Sequence, residues 1–227
     1  PPMRVLGIRG YTMSPYGMQT AGEAWADSAA LAESMPKLSR RIRQPGQDNS
    51  KSHLEGLSEK IESGDICELR IIISTQPESV KSIPSKKPEI MEVGISGRGF
   101  TEQLEWAQER LGGELTIEDV YSDGTDIDVI GITKGKGWQG AIKRWGIKLL
   151  SHKNSKRRRQ GGNMGDFGTG YVRKTIRQAG QVGYHNRTEL NKRILRVSNP
   201  EESDITPAGG FLNYGEVTNP YMIIQGS

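Results

Sequence analysis

The chain has 227 residues, a hydrophobic fraction of 33 % and a formal net charge of +4, with a mean hydropathy of −0.61. That length suits one large domain or two small ones, but so few apolar side chains bury little surface against chain entropy, implying a modest core and much chain folded on a partner. No run of about eighteen apolar residues is present to cross a membrane, and the start, Pro1-Pro2-Met3-Arg4, lacks the apolar stretch of a signal peptide.

In chain order, Met3 to Tyr11 alternates enough to read as a strand. Thr20 to Met35 has helical character, with Ala24, Ala29 and Leu31 among acidic positions and Pro36 to close it. The polar stretch Arg40 to Ser52 is expected to be a loop. His53 to Glu62 forms a charged helix with Leu54, Leu57 and Ile61 on one stripe, either a solvated amphipathic element or a protein-docking surface. Leu69 to Ser74 is a β-branched strand, and Pro77 to Pro88 a linker or extended loop. After a further strand over Glu89 to Ile95, Phe100, Leu104, Ala107 and Leu111 recur at helical spacing, stopped by Gly112-Gly113. Asp126 to Thr133 alternates acid and apolar as a strand entering a basic segment. Ile194 to Val197 and Phe211 to Ile224 return to strand-like composition, with turn signals at Gly209-Gly210 and Asn219-Pro220.

The modest net charge hides a sharp partition. Thr133 to Val197 carries 17 Lys and Arg against Asp166 and Glu189, a local charge of +15, while the rest of the chain sums to −11. Such asymmetry points to a polyanionic partner. Within this segment Gly161 to Gly170 (GGNMGDFGTG) has five glycines and almost nothing to bury, so it needs a partner to become ordered.

Gly135, Gly137 and Gly140 spell G-x-G-x-x-G behind a strand, the fingerprint of a dinucleotide site. A Rossmann unit would need an amphipathic helix and a second apolar strand next. Here Gly146 breaks the pattern early, a basic window from Lys153 to Arg159 follows, and no Gly-Lys-Ser/Thr supports a P-loop. A different use suits the glycines: their backbone approaches phosphates closely, while Lys134, Lys136, Lys143 and Arg144 neutralise them. Trp138 and Trp145 interleave with these cations, either stacking on unpaired bases or anchoring the loop to the rest of the fold. Beyond them lie Lys148, Lys153 and the run Lys156-Arg157-Arg158-Arg159, too charged to stabilise itself, then Arg173, Lys174, Arg177, Arg187, Lys192 and Arg193. Phosphate contact accounts for the whole set; a nuclear-localisation signal or a solvated face would account only for the run.

Enzyme chemistry finds little support. No Ser-His-Asp or Cys-His arrangement is apparent, and Asp126 and Asp128 fall on one solvent face of their strand. His53, His152 and His185 lack zinc-ligand spacing, and the single cysteine, Cys67, cannot form an internal disulfide, which fits a reducing cytosol. No recognition helix or RNP aromatics suggest sequence-specific readout, as an RNA-binding assembly factor, the alternative reading, would use.

Asp128 to Arg144, DVIGITKGKGWQGAIKR, resembles the signature of the universal ribosomal protein L3 family in Asp128, Gly131, Thr133, Gly135, Lys136, Gly137, Gly140 and Arg144. Tyr121 stands where that family usually has Phe or Leu. Gly180 to Ile194, GQVGYHNRTELNKRI, is similar to the family's Gly-Gln-x-Gly-Tyr-His-x-Arg-Thr block, and FLNYGEVTNPYMIIQGS to its closing strands in archaeal and eukaryotic-type members.

The resemblance implies a mainly β protein: a β-barrel of the translation-protein kind, an α+β insertion, and a long non-globular extension reaching through RNA toward the peptidyl-transferase centre. On that plan residues 1–19 give barrel strands, 20–125 the insertion, 126–145 a barrel strand and the signature loop, 146–185 the basic extension, and 186–227 returning strands. Additional chain before Pro1 and after Ser227 is expected. Phe167, where many members have Trp, would sit at the extension's tip and stack without an indole donor. His185 reads as structural or RNA-facing. The implied partners are large-subunit ribosomal RNA and neighbouring ribosomal proteins in the cytoplasmic large subunit, with no membrane, cofactor, metal or small-molecule substrate.

Overall fold

The computed structural model describes residues 1–27, 50–155, 157–165 and 167–226, with side chains for all of these except 50–52 and 167. It is mainly β. The chain divides into two compact units, one of residues 1–125 and 194–225, the other of residues 126–193 with 226–227.

The first unit is built on an antiparallel sheet. Strand β1 (Met3–Ser14) turns through Pro15-Tyr16 into β2 (Gly17–Trp25). β1 also pairs with β3 (Glu68–Ser74), which pairs with β4 (Ile90–Gly94), giving the order β2-β1-β3-β4; β5 (Glu114–Leu115) pairs with the start of β1. Helix α1 (Ser50–Glu62) and helix α2 (Phe100–Glu109) supply apolar stripes.

β3 reads as a nearly continuous apolar run because both faces of the sheet are covered. Leu69, Ile71 and Ile73 join Val5, Ile8, Leu57, Leu104 and Ala107 in the larger core, while Ile72 joins Leu6 and Trp25 in a smaller one. A register shift between Val5 and Gly7 lets Val5 and Ile8, three positions apart, enter the same core. Gly10 and Gly22 face each other across β1 and β2. A Cβ at either would come within 3.0 Å of Leu57 Cδ2, so this glycine pair is the seat into which α1 settles. Along the same strands Arg9 bridges Glu23 at 2.7 Å and Glu92, and Tyr11 donates to Glu92. Burial opposes the Arg9 charge, but the Tyr11 hydrogen bond and the two carboxylates outweigh it and hold the guanidinium above its ordinary pKa.

The expected strands at Met3, Leu69 and Glu89 and the helices at His53 and Phe100 are found within a few residues of their expected limits. The helix expected over Thr20 to Met35 is not found in its described part. Thr20 to Trp25 is strand, because pairing with β1 and burial of Ala24 and Trp25 outweigh local helix preference; residues 28–35 lie outside the described residues. So does 40–49 of the expected loop, while Ser50–Ser52 belongs to α1. Of Phe211 to Ile224, only β10 (Tyr221–Ile224) is a strand, paired with the end of β9 (Asn186–Ser198).

Candidate nucleic-acid interface

The second unit grows from one long antiparallel ladder. β6 (Asp126–Ile132) pairs with β9, and four residues further on β7 (Gly137–Gln139) pairs with β8 (Gly180–Val182). Between the two paired stretches, residues 133–136 lie opposite 183–185, four against three, so the ladder must bulge there. Thr133 holds it together: its amide donates to the His185 carbonyl (3.0 Å), its carbonyl accepts from the Tyr184 amide (3.0 Å), and its hydroxyl accepts from the His185 amide (3.2 Å). Lys136 N–H reaches the Val182 carbonyl at 2.9 Å.

Both glycines of the Gly180 to Gly183 block are closely approached, and at Gly183 it is backbone that leaves no room for a side chain. At Gly183 (φ 73°) a Cβ would collide with the Lys134 carbonyl oxygen, and at Gly180 with the Arg144 guanidinium. The G-x-G-x-x-G run opens no long helix: Gly140 precedes α3 (Ala141–Trp145), five residues ended by left-handed Gly146. That is incompatible with a dinucleotide fold, whose pyrophosphate site needs a full helix after the glycines.

Arg144 and Trp145 on α3 tie the returning chain. Arg144 Nη1 donates to the carbonyls of Gln178 (3.2 Å) and Ala179 (3.4 Å), Trp145 Nε1 donates to Gln178 O (2.9 Å), and the guanidinium lies 5.0 Å from the Trp145 ring centre. Trp145 thus has an anchoring contact and still exposes 48 % of its surface, whereas Trp138 is 76 % exposed on β7.

From Gly146 to Ala179 the only regular element among the described residues is a 3-10 turn, Phe167–Thr169. The arginine run closes a small loop: Leu150 N–H donates to Arg158 O at 3.2 Å, and Arg158 Nε returns a bond to Leu150 O at 3.4 Å. Lys134, Lys136, Lys143, Lys148, Lys153, Arg157, Arg158, Arg159, Arg173, Lys174, Arg177 and Arg187 are exposed. Among the described residues none of them has a carboxylate within ion-pair distance. Lys192 and Arg193 differ, pairing with Glu189 at 3.0 Å and Asp126 at 3.4 Å. His185 is half-buried beside the bulge; Lys156 and the Phe167 side chain lie outside what is described.

Charge follows the same division: the second unit carries 16 basic and 4 acidic residues, net +12, leaving −8 on the first. Its described residues form no buried apolar cluster, only Ala141, Gly180 and Gly183 being buried. Asp128 accepts the Asn191 amide at 3.0 Å and Asp126 meets Arg193, so these carboxylates serve the ladder. No group of three His, Cys, Asp or Glu among the described residues is placed to hold a metal ion, and no described helix is long and apolar enough to cross a membrane. Sequence reasoning passed over Tyr184, which stands at φ 56° in the bulge with 74 % of its surface exposed; its neighbours in GYH were the available signal.

A family model for ribosomal protein L3 matches residues 1–227. The large ribosomal subunit protein uL3 of Methanosphaerula palustris is 42 % identical over 229 residues, covering 100 % of this chain and 66 % of that protein. The proteins of the same name from Archaeoglobus fulgidus and Haloarcula marismortui are 40 % and 39 % identical, again with 66 % of each covered. The chain therefore spans slightly less than two thirds of these relatives.

Proposed function

Because the chain belongs to the ribosomal protein L3 family, we propose that it is a structural constituent of the cytoplasmic large ribosomal subunit that binds large-subunit ribosomal RNA and catalyses no reaction itself. The observation that carries this is the second unit: net +12, almost without buried apolar surface, with twelve of its cations exposed and free of carboxylate partners among the described residues, Lys192 and Arg193 being the paired exceptions. A unit of that kind gains its order from a polyanion, whose phosphates draw on the cations while condensed counter-ions are released.

Lys134, Lys136, Lys143, Lys148, Lys153, Lys156, Arg157, Arg158, Arg159, Arg173, Lys174, Arg177 and Arg187 are assigned to phosphates, with Trp138 available to stack. Arg144 and Trp145 keep the loop's return path in place and meet RNA with what surface remains; Lys192, Arg193 and His185 contact RNA from the ladder. The segment 20–125 forms the insertion, and 146–185 extend through RNA toward the peptidyl-transferase centre with Phe167 at the tip. Neighbouring ribosomal proteins are the partners assigned to the acidic insertion.

The test is binding of the full-length protein to large-subunit RNA across a salt series, with footprinting. Affinity should fall steeply as salt rises, and replacing Arg157, Arg158 and Arg159 by Gln should flatten the slope of log K against log salt by about two to three. Weak, salt-insensitive binding by folded protein would sink the proposal.

A further inference from the structure

Tyr184 is in a place that neither the backbone nor the core explains. Its φ of 56° is left-handed, a conformation a bulky side chain rarely adopts. The preceding residue, Gly183, is left-handed too, so two successive residues of the bulge turn the chain out of strand geometry. Three hydrogen bonds between Thr133 and residues 184 and 185 hold that conformation in place. Glycine or asparagine at 184 would satisfy the backbone better. Nor does packing call for a ring: 74 % of Tyr184 is exposed, and it joins neither apolar core. Strain retained in an exposed aromatic residue is the pattern of a side chain aimed at a ligand.

The surroundings say which ligand. The Cβ of Tyr184 lies 3.8 Å from where a Cβ on Gly135 would be, so the tyrosine sits over the bare backbone of that glycine. Lys134 and Lys136 flank Gly135, both exposed and without a carboxylate partner among the described residues. An open aromatic ring beside a glycine whose two chain neighbours are unpaired lysines suits a nucleotide, with the ring under the base and the cations available to its phosphates.

We propose that Tyr184 is a base-stacking residue, its strained backbone in the bulge presenting the ring to an unpaired RNA base whose neighbouring phosphates are held by Lys134 and Lys136. This rests on the RNA-binding reading above and adds a residue and a mode of contact to it.

Stacking and phosphate contact separate by salt. The full-length protein and its Tyr184→Gly, Tyr184→Asn and Tyr184→Phe variants are titrated with large-subunit RNA over a salt series, with chemical probing of unpaired bases. Tyr184→Gly and Tyr184→Asn should each weaken binding roughly ten-fold, within the range for loss of one stacked base, with the salt slope unchanged. Tyr184→Phe should bind within about two-fold of the parent, because its ring still stacks. A discrete unpaired base should become reactive in the Gly and Asn complexes only. Because glycine and asparagine both tolerate the left-handed backbone, at least one should melt like the parent, and that one decides. Parent-like affinity in a folded Gly or Asn variant overturns the stacking role, as does a loss accompanied by a flatter slope. Absence of salt-steep binding by the parent itself would instead remove the RNA reading and this inference with it.

Discussion

The two units differ in what holds them together. In residues 1–125, α1 and α2 cover a sheet whose central strand is apolar on both faces, and Leu57 locks into the Gly10–Gly22 seat. The second unit has a hydrogen-bonded ladder instead, with Ile130, Ile132, Trp138, Tyr171 and Leu190 all more than half exposed. One unit stores its stability in buried area; the other is held by backbone pairing and carries a concentrated positive charge. The lesson is that a chain can be well formed in backbone and still be unfinished in packing.

The contrast can be broken by a mutation in each unit. Leu57→Ala removes a side chain that is 1 % exposed and should destabilise the first unit by about 2–5 kcal/mol, read as a lower melting temperature. Trp138→Ala, at 76 % exposure, should shift melting hardly at all. Equal losses would mean the second unit has a core after all.

A smaller effect sharpens it. Gly183→Ala forces a Cβ against the Lys134 carbonyl at a left-handed position. About 1–2 kcal/mol of ladder stability should be lost from the backbone conformation, with more from the collision. The measurement is amide exchange: Lys136 and Tyr184, whose amides bond across the bulge, should lose protection while Ile71 and Ile73 keep theirs. Loss of protection throughout would mean the units unfold as one.

The smallest concerns acid. Thr116 donates its hydroxyl and its amide to Asp119, at 2.6 and 2.8 Å, and Arg70 hydrogen-bonds Glu68; both carboxyls are thereby held below their ordinary pKa. A folded pKa below the unfolded one gives stability that is present above the unfolded value and lost as pH falls through the folded one. The first unit should therefore melt at a lower temperature below roughly pH 4. Thr116→Val should reduce that drop slightly, and an unchanged pH profile would remove Asp119 from the account.

Much of this was legible in order along the chain. The run Leu69 to Ser74 announced a strand by its β-branched composition, and Phe100, Leu104 and Ala107 announced a helix by their spacing, because both signals are local. The +15 segment and the three family-like blocks pointed to a polyanion and to the L3 family before any fold was known. Residues 20–25 misled, since alanines and acids favour a helix until β1 is alongside. Arg144 was legible as a cation, but its two carbonyl partners were not, because Gln178 and Ala179 are more than thirty residues away.

Residue order alone thus determined where charge, glycine and apolar runs fall. Tertiary structure decided that β2 is a strand, that Gly10 and Gly22 make a seat for Leu57, and that four residues face three beside Thr133. Each of those depends on which distant segment lies opposite. Pairing across a ladder is set by the sum of non-local hydrogen bonds and burial, and no local window of the sequence contains that sum.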